Sequence, residues 1–143
     1  MSHETMSHET FAFTKALVIH NRRVLILKRS NYRERGAGEW DIPGGGLDFG
    51  ESPLEGIIRE AREEAGIALH VDRLLTAYTV VTSPTRQGVC LMFIGHTDTD
   101  EITLSHEHTE FMWVTKQQLK ELLSPRHLKI YTQNYIFEAL DID

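Results

Sequence analysis

The sequence predicts an α/β protein in which a mixed sheet carries helices on its faces. Three observations predict it. Apolar segments of strand length follow one another across turn signals, as Phe11–His20 and Val24–Lys28 do, and again Leu74–Thr82 and Val89–His96. Stretches of helical period open on hydroxyl caps at Ser52, Thr115 and Ser124. Strands and helices show no regular βαβ alternation, which separates the chain from a doubly wound nucleotide fold. A length of 143 residues fits one compact domain with its own core.

MSHET occurs twice in succession at the start. Residues 1–10 are expected to be a disordered, duplicated tail and residues 11–143 the domain, so His3 and His8 are set aside as site residues. Phe11–His20 is expected to be a strand, with Asn21-Arg22 turning into a second strand, Val24–Lys28. Residues 31–39, with Gly36 and Gly38, read as a polar loop. Trp40-Asp41-Ile42 is a short strand ended by Pro43 and the glycines behind it. Ser52 then caps a helix, with Pro53 in its first turn, Glu55 completing a capping box and Gly66 closing it. Residues 83–88 are expected to connect the long hairpin, and Phe111–Val114 to form another strand. Thr115 starts a helix to about Leu123, and Ser124-Pro125 a final helix to about Leu140.

Composition narrows the function. Hydrophobic residues at 41% and charged residues at 25% are ordinary for a soluble domain. A net charge of −6 argues against a nucleic-acid polymer as partner. It leaves small phosphorylated ligands open, because a few arginines or a metal reverse the sign within one cleft. Cys90 is the single cysteine, so no internal disulfide forms and a reducing, cytoplasmic setting is expected. The longest apolar runs are too short to span a bilayer, and no membrane partner is expected.

The stretch GGGLDFGESPLEGIIREAREEAGI, residues 44–67, holds the chemistry. At 100° per residue, Leu54, Ile57, Ile58, Ala61 and Ala65 share one arc and face the core. Glu60, Glu63 and Glu64 fill the adjoining arc, while Arg59 and Arg62 fall toward the other side. Carboxylates three and four positions apart repel, by a few tenths of a kcal/mol per pair in water and more at a buried edge. Such a cluster suits a hard cation, and Mg²⁺ or Mn²⁺ are the natural candidates. Gly44, Gly45 and Gly46 let a backbone carbonyl approach the same ion. A solvated acidic face paired with Arg59 and Arg62 is the plainer alternative.

The spacing around the helix decides between them. Gly45, Glu51, Arg59, Glu60, Glu63, Glu64 and Gly66 stand as G-x5-E-x7-R-E-U-x-E-E-x-G-U, with Ala61 and Ile67 at the apolar positions. That pattern resembles the full box of the Nudix hydrolase superfamily, MutT-like proteins included, without departure. Chance would match its fixed residues at a given start roughly once in a hundred million. Outside residues 45–67 the likeness is looser and rests on Trp40-Asp41-Ile42-Pro43 and the order of elements.

The resemblance implies an α/β/α sandwich and hydrolysis of a nucleoside diphosphate linked to another group. It implies Glu60, Glu63 and Glu64 as metal ligands, with the Gly45 carbonyl beside them. Arg59 would hold a glutamate in place and Glu51 would support the turn into the helix. One carboxylate takes the proton of the attacking water; Glu63 is favoured and Glu60 comes next.

Outside the box, Arg29, Arg33 and Arg35 are candidates to grip phosphates, and surface charge is an equal reading. Trp40 reads as core. Glu107 and Glu110 are candidates for a further carboxylate, Glu107 preferred as a metal ligand. His106 and His108 match no zinc signature. Pro84 marks ADP-ribose specificity loosely and suits a hairpin turn better. Cys90, in mid-strand, reads as a buried structural thiol, against an isomerase that needs a catalytic cysteine. The expected function is metal-dependent hydrolysis of a small nucleotide, an ordinary or oxidised nucleoside triphosphate first. An ADP-ribose or nucleotide-sugar pyrophosphatase is the alternative, and a non-catalytic nucleotide sensor is the alternative of another class. A homodimer is compatible with the sequence.

Overall fold

The computed structural model describes residues 7–30 and 36–143. β1 (Glu9–His20) turns through Asn21 and Arg22, at φ of 54° and 62°, into β2 (Arg23–Arg29). Two consecutive positive φ values give a two-residue turn the twist that flanking strands need. Next come β3 (Trp40–Asp41), β4 (Gly44–Gly46), α1 (Pro53–Ala65), β5 (His70–Ser83), β6 (Arg86–His96) and β7 (His108–Val114). α2 (Lys116–Leu122), α3 (Pro125–Gln133) and α4 (Ile136–Ala139) follow. Among the described residues seven strands share one sheet in the order β3-β2-β1-β6-β5, with β4 also on β1 and β7 on β2. β1 and β6 run parallel, from Glu9 opposite Arg86 to Ile19 opposite His96, and the other pairings are antiparallel. The sheet is therefore mixed, as expected.

Side chains of the central strands alternate between two cores. Leu17, Val24, Ile26 and Met92 pack on one face with Leu119, Tyr131, Ile136 and Phe137 of the last three helices. Ala16, Val18, Leu25 and Leu27 pack on the other with Ile57, Ala61 and Ala65 of α1. Burial on both faces explains why these strands read as continuous apolar runs. Each fully buried Leu or Ile contributes roughly 1.5–3 kcal/mol. The result is the sandwich that the resemblance implied.

α1 begins and ends where its caps predict. The Ser52 hydroxyl accepts from the Glu55 amide at 3.1 Å, and the Glu55 carboxylate accepts from the Ser52 amide at 3.0 Å. Gly66, at φ 69°, closes it in the left-handed region and donates to the Arg62 carbonyl.

Several expectations are corrected. β1 begins at Glu9, so Glu9 and Thr10 belong to the sheet and not to a disordered tail; the Glu9 amide bonds the Thr85 carbonyl. The glycines of residues 44–46 form a strand, because β1 supplies the partner that no local signal announces. Only Pro84 and Thr85 separate β5 from β6. Leu54 is 48% exposed, and burial along α1 starts at Gly56. The last helix is broken in two by Tyr135, at φ 55°.

Candidate active site

The glutamates of α1 meet β4 at Gly44 and Gly45, where no side chain fits. A Cβ on Gly44 would lie 2.0 Å from the Thr14 carbonyl oxygen, and one on Gly45 would lie 2.6 Å from Glu60 Oε1. Without side chains there, the Gly44 amide donates to Glu64 Oε1 at 2.7 Å. The Gly45 backbone lies directly against the Glu60 carboxylate.

Arg59 is the hub of the cluster. Its Nε and Nη2 donate to the two oxygens of Glu51 at 2.6 and 3.0 Å. Nη1 donates to Glu60 and to Glu63, each at 3.1 Å, and Nη2 reaches the Gly46 carbonyl at 3.2 Å. The helical wheel sent Arg59 away from the glutamates; that is corrected, since a long guanidinium reaches around the helix where its Cα does not. The bidentate hydrogen bond from Arg59, with the Asp48 amide behind it, holds the Glu51 carboxyl down at about 2. Arg59 thus stands between Glu60 and Glu63 and offsets part of their repulsion.

The rest of the repulsion is uncompensated. Burial pushes the Glu64 carboxyl up to about 7 against the opposing pull of Lys15 and the Gly44 amide, and Glu60 and Glu107 push it further. Glu60 is raised too, by burial first and then by Glu63 and Glu107 against the pull of Arg59. Glu63 is open to solvent at the rim. His108 of β7, its side chain 6% exposed, has Nε2 3.8 Å from Glu64 Oε2.

Glu60, Glu63, Glu64 and His108 line a cavity of about 440 Å³. Arg29 and Glu107 line it as well. Glu110 does not and pairs with Lys28 at 3.3 Å, so Glu107 is the one of the two that lines the cavity. Arg35 and Arg33 lie outside the described residues. The rest of the lining was not legible in the sequence. Lys15 Nζ donates to Asp41 Oδ2 at 2.7 Å, both buried, and His127 Nε2 stands 3.6 Å from the same oxygen. Burial alone would raise the Asp41 carboxyl, but Lys15 and His127 hold it at about 2. Burial lowers His127, aided by Lys15 and Arg126. The Tyr131 hydroxyl is buried with no hydrogen bond among the described residues. Phe11 and Phe13, with ring centroids 5.9 Å apart, form an aromatic wall toward β5. The one available signal was Lys15, a charge inside the apolar run of β1. Cys90 is buried and its thiol is pushed up to about 11, as a structural thiol should be.

A family model described as NUDIX domain matches residues 12–133. The chain belongs to the Nudix family. Among curated relatives, a MutT-like protein of Streptomyces ambofaciens is 32% identical over 125 residues, covering 87% of this chain and 73% of that one. Nucleoside triphosphatase NudI of Enterobacter sp. (strain 638) is 27% identical over 116 residues, covering 74% and 82%. The solved MutT protein from Methanosarcina mazei Go1 superposes with a TM-score of 0.80 at 25% identity, covering 94% of this chain and 99% of that one. The Nudix fold and a pyrophosphohydrolase of MutT-like type follow. No helix among the described residues is long and apolar enough to cross a membrane.

Proposed function

We propose that this Nudix enzyme is a divalent-metal-dependent hydrolase of the diphosphate linkage in a single nucleoside triphosphate, ordinary or oxidised. One observation carries the reading: the glutamate cluster and a buried, hydrogen-bonding floor line the same cavity. That volume suits one nucleoside and its phosphates, at the lower end of ligand sites in general. The donor set fits Mg²⁺ or Mn²⁺, because Glu60, Glu63, Glu64, Glu107 and the Gly45 carbonyl offer only hard oxygens. The raised carboxyls of Glu60 and Glu64 point to anionic charge in want of a cation. When bound, such an ion screens the diphosphate and activates a water for in-line attack.

The protein's own groups divide the remaining work. Arg59, fixed by Glu51, orients Glu60 and Glu63. Glu63, solvent-open at the rim, takes the proton of the attacking water, and Glu60 is next in line. Arg29 meets the phosphates, and Arg35 is assigned the same role from its sequence position. Elsewhere in the lining, the Tyr131 hydroxyl and the Lys15–Asp41 pair offer donors and acceptors to a base that Phe11 and Phe13 flank. The single buried cysteine supports a cytoplasmic setting.

The NudI name of one relative supports triphosphates as the substrate class. The test is a phosphate-release panel with Mg²⁺ and Mn²⁺, with and without added phosphatase or pyrophosphatase. It covers ordinary and oxidised nucleoside triphosphates, ADP-ribose and nucleotide sugars. Release from a triphosphate, lost on chelation and cut by orders of magnitude in Glu63→Gln, is expected. Preference for ADP-ribose or a nucleotide sugar would replace the substrate class. Nucleotide binding without turnover would replace catalysis by sensing.

A further inference from the structure

The paired ends of β5 and β6 carry a cluster of imidazoles and carboxylates that does not line the catalytic cavity. His70 opens β5 and sits directly opposite His96, the last residue of β6. Their rings stack with centroids 5.0 Å apart and planes inclined by 22°. Asp98 Oδ2 lies 3.0 Å from His70 Nε2. One donor atom from each of His70, His96 and Asp98 lies within 4.8 Å of the other two.

Asp72 adds the orienting group. The β5–β6 register shifts between Val71 and Arg73, so Asp72 is the extra residue of a bulge. Bulges re-aim side chains, and both oxygens of this one lie 3.1 Å from His96 Nδ1. A carboxylate that accepts from Nδ1–H fixes the tautomer and leaves Nε2 as the lone-pair donor. Metal-ligating histidines commonly carry such an outer partner.

We propose that His70, His96 and Asp98 form a surface site for a borderline divalent transition metal of the Zn²⁺ class, with Asp72 positioning His96. Two imidazole nitrogens and one carboxylate oxygen select such ions over Mg²⁺, which the oxygen-only glutamate cluster suits. With bonds of about 2.0–2.1 Å at tetrahedral angles, an ion joins donors about 3.3–3.4 Å apart. The exposed side chains therefore need to draw in by at most about 1.5 Å, a rotamer adjustment. β5 is a sheet edge, so the ion would clip an edge strand to its neighbour and stabilise the folded state.

The test is a ZnCl₂ titration of the full chain by calorimetry and thermal melting, in excess Mg²⁺ to fill the glutamate cluster. The variants are His70→Asn, His96→Asn, Asp72→Asn, and a His3→Asn/His8→Asn control for the tail imidazoles. Wild type should bind one Zn²⁺ and gain about 5 °C or more in Tm at a hundred times its Kd. Each of His70→Asn and His96→Asn should weaken binding at least tenfold while the zinc-free Tm stays put. Asp72→Asn should weaken it as well, and the tail control should bind as wild type does. Absence of zinc-dependent stabilisation in wild type, undiminished affinity in the His70 and His96 variants, or loss confined to the tail control would each overturn the assignment.

Discussion

Replacing Glu64 by Gln sets stability against function in one side chain. The Glu64 carboxyl rises from 4.5 to about 7 in the folded protein because burial penalises its charge. A carboxyl raised on folding binds more protons in the native state than in the unfolded one. Stability is therefore fully present below pH 4.5 and is lost as pH climbs to about 7. The shift corresponds to about 3 kcal/mol. Gln keeps the shape and the acceptor for the Gly44 amide but carries no charge. In chelator at pH 8, Glu64→Gln should exceed wild type by up to about 3 kcal/mol, and the gap should close by pH 4 to 5. His127, Asp41 and Glu51 titrate in both proteins, so they cancel in the difference. Urea melts followed by the fluorescence of Trp40 and Trp113 measure it, repeated in Mg²⁺. There the order should reverse, because an ion bound only by the folded state favours the protein with the ligand. Parallel pH profiles of the two proteins in chelator would refute the uncompensated-charge argument.

Two further substitutions probe the hub and the floor. Arg59→Lys keeps a charge but not the fork that reaches Glu51, Glu60 and Glu63, so kcat or Mg²⁺ affinity should fall on the order of tenfold to a hundredfold. Kinetics across a Mg²⁺ titration show which, and unchanged kinetics would demote Arg59 to a surface ion pair. Tyr131→Phe removes a buried hydroxyl without a bond, so the free protein should gain about 1 kcal/mol in urea melts. If that hydroxyl meets the base, KM should rise severalfold with kcat little changed. A loss of stability would mean the hydroxyl already has a partner.

The legible parts of this protein were those whose signals are local. The capping box of Ser52 and Glu55, the Gly66 terminator and the spacing of Glu60, Glu63 and Glu64 all lie within one helix and its ends. The strands of both cores showed themselves as apolar runs. What escaped depends on distant partners. Residues 44–46 become a strand only because β1 lies beside them, and glycines announce loops. Lys15, Asp41, His127 and Tyr131 come from three separated stretches, each with an ordinary local explanation. Arg59 was misplaced because a helical wheel locates Cα atoms and says nothing of where a long guanidinium ends. The break at Tyr135 has neither proline nor glycine to mark it.

The parallel pairing of β1 with β6 also bears on how the chain reaches its fold. Glu9 and Arg86, which meet at one end of that ladder, are 77 positions apart in sequence. Closing so long a loop costs entropy before any contact rewards it, whereas the β1–β2 and β5–β6 hairpins close locally. Folding should therefore be paced by the docking of two preformed hairpins, in the slower range typical of non-local sheets. On the ribosome, at 5–20 residues per second, β1 waits about 4–15 s for its central partner to be made. Through that interval one side of an apolar strand stays unpaired, the state in which a nascent chain most needs a chaperone.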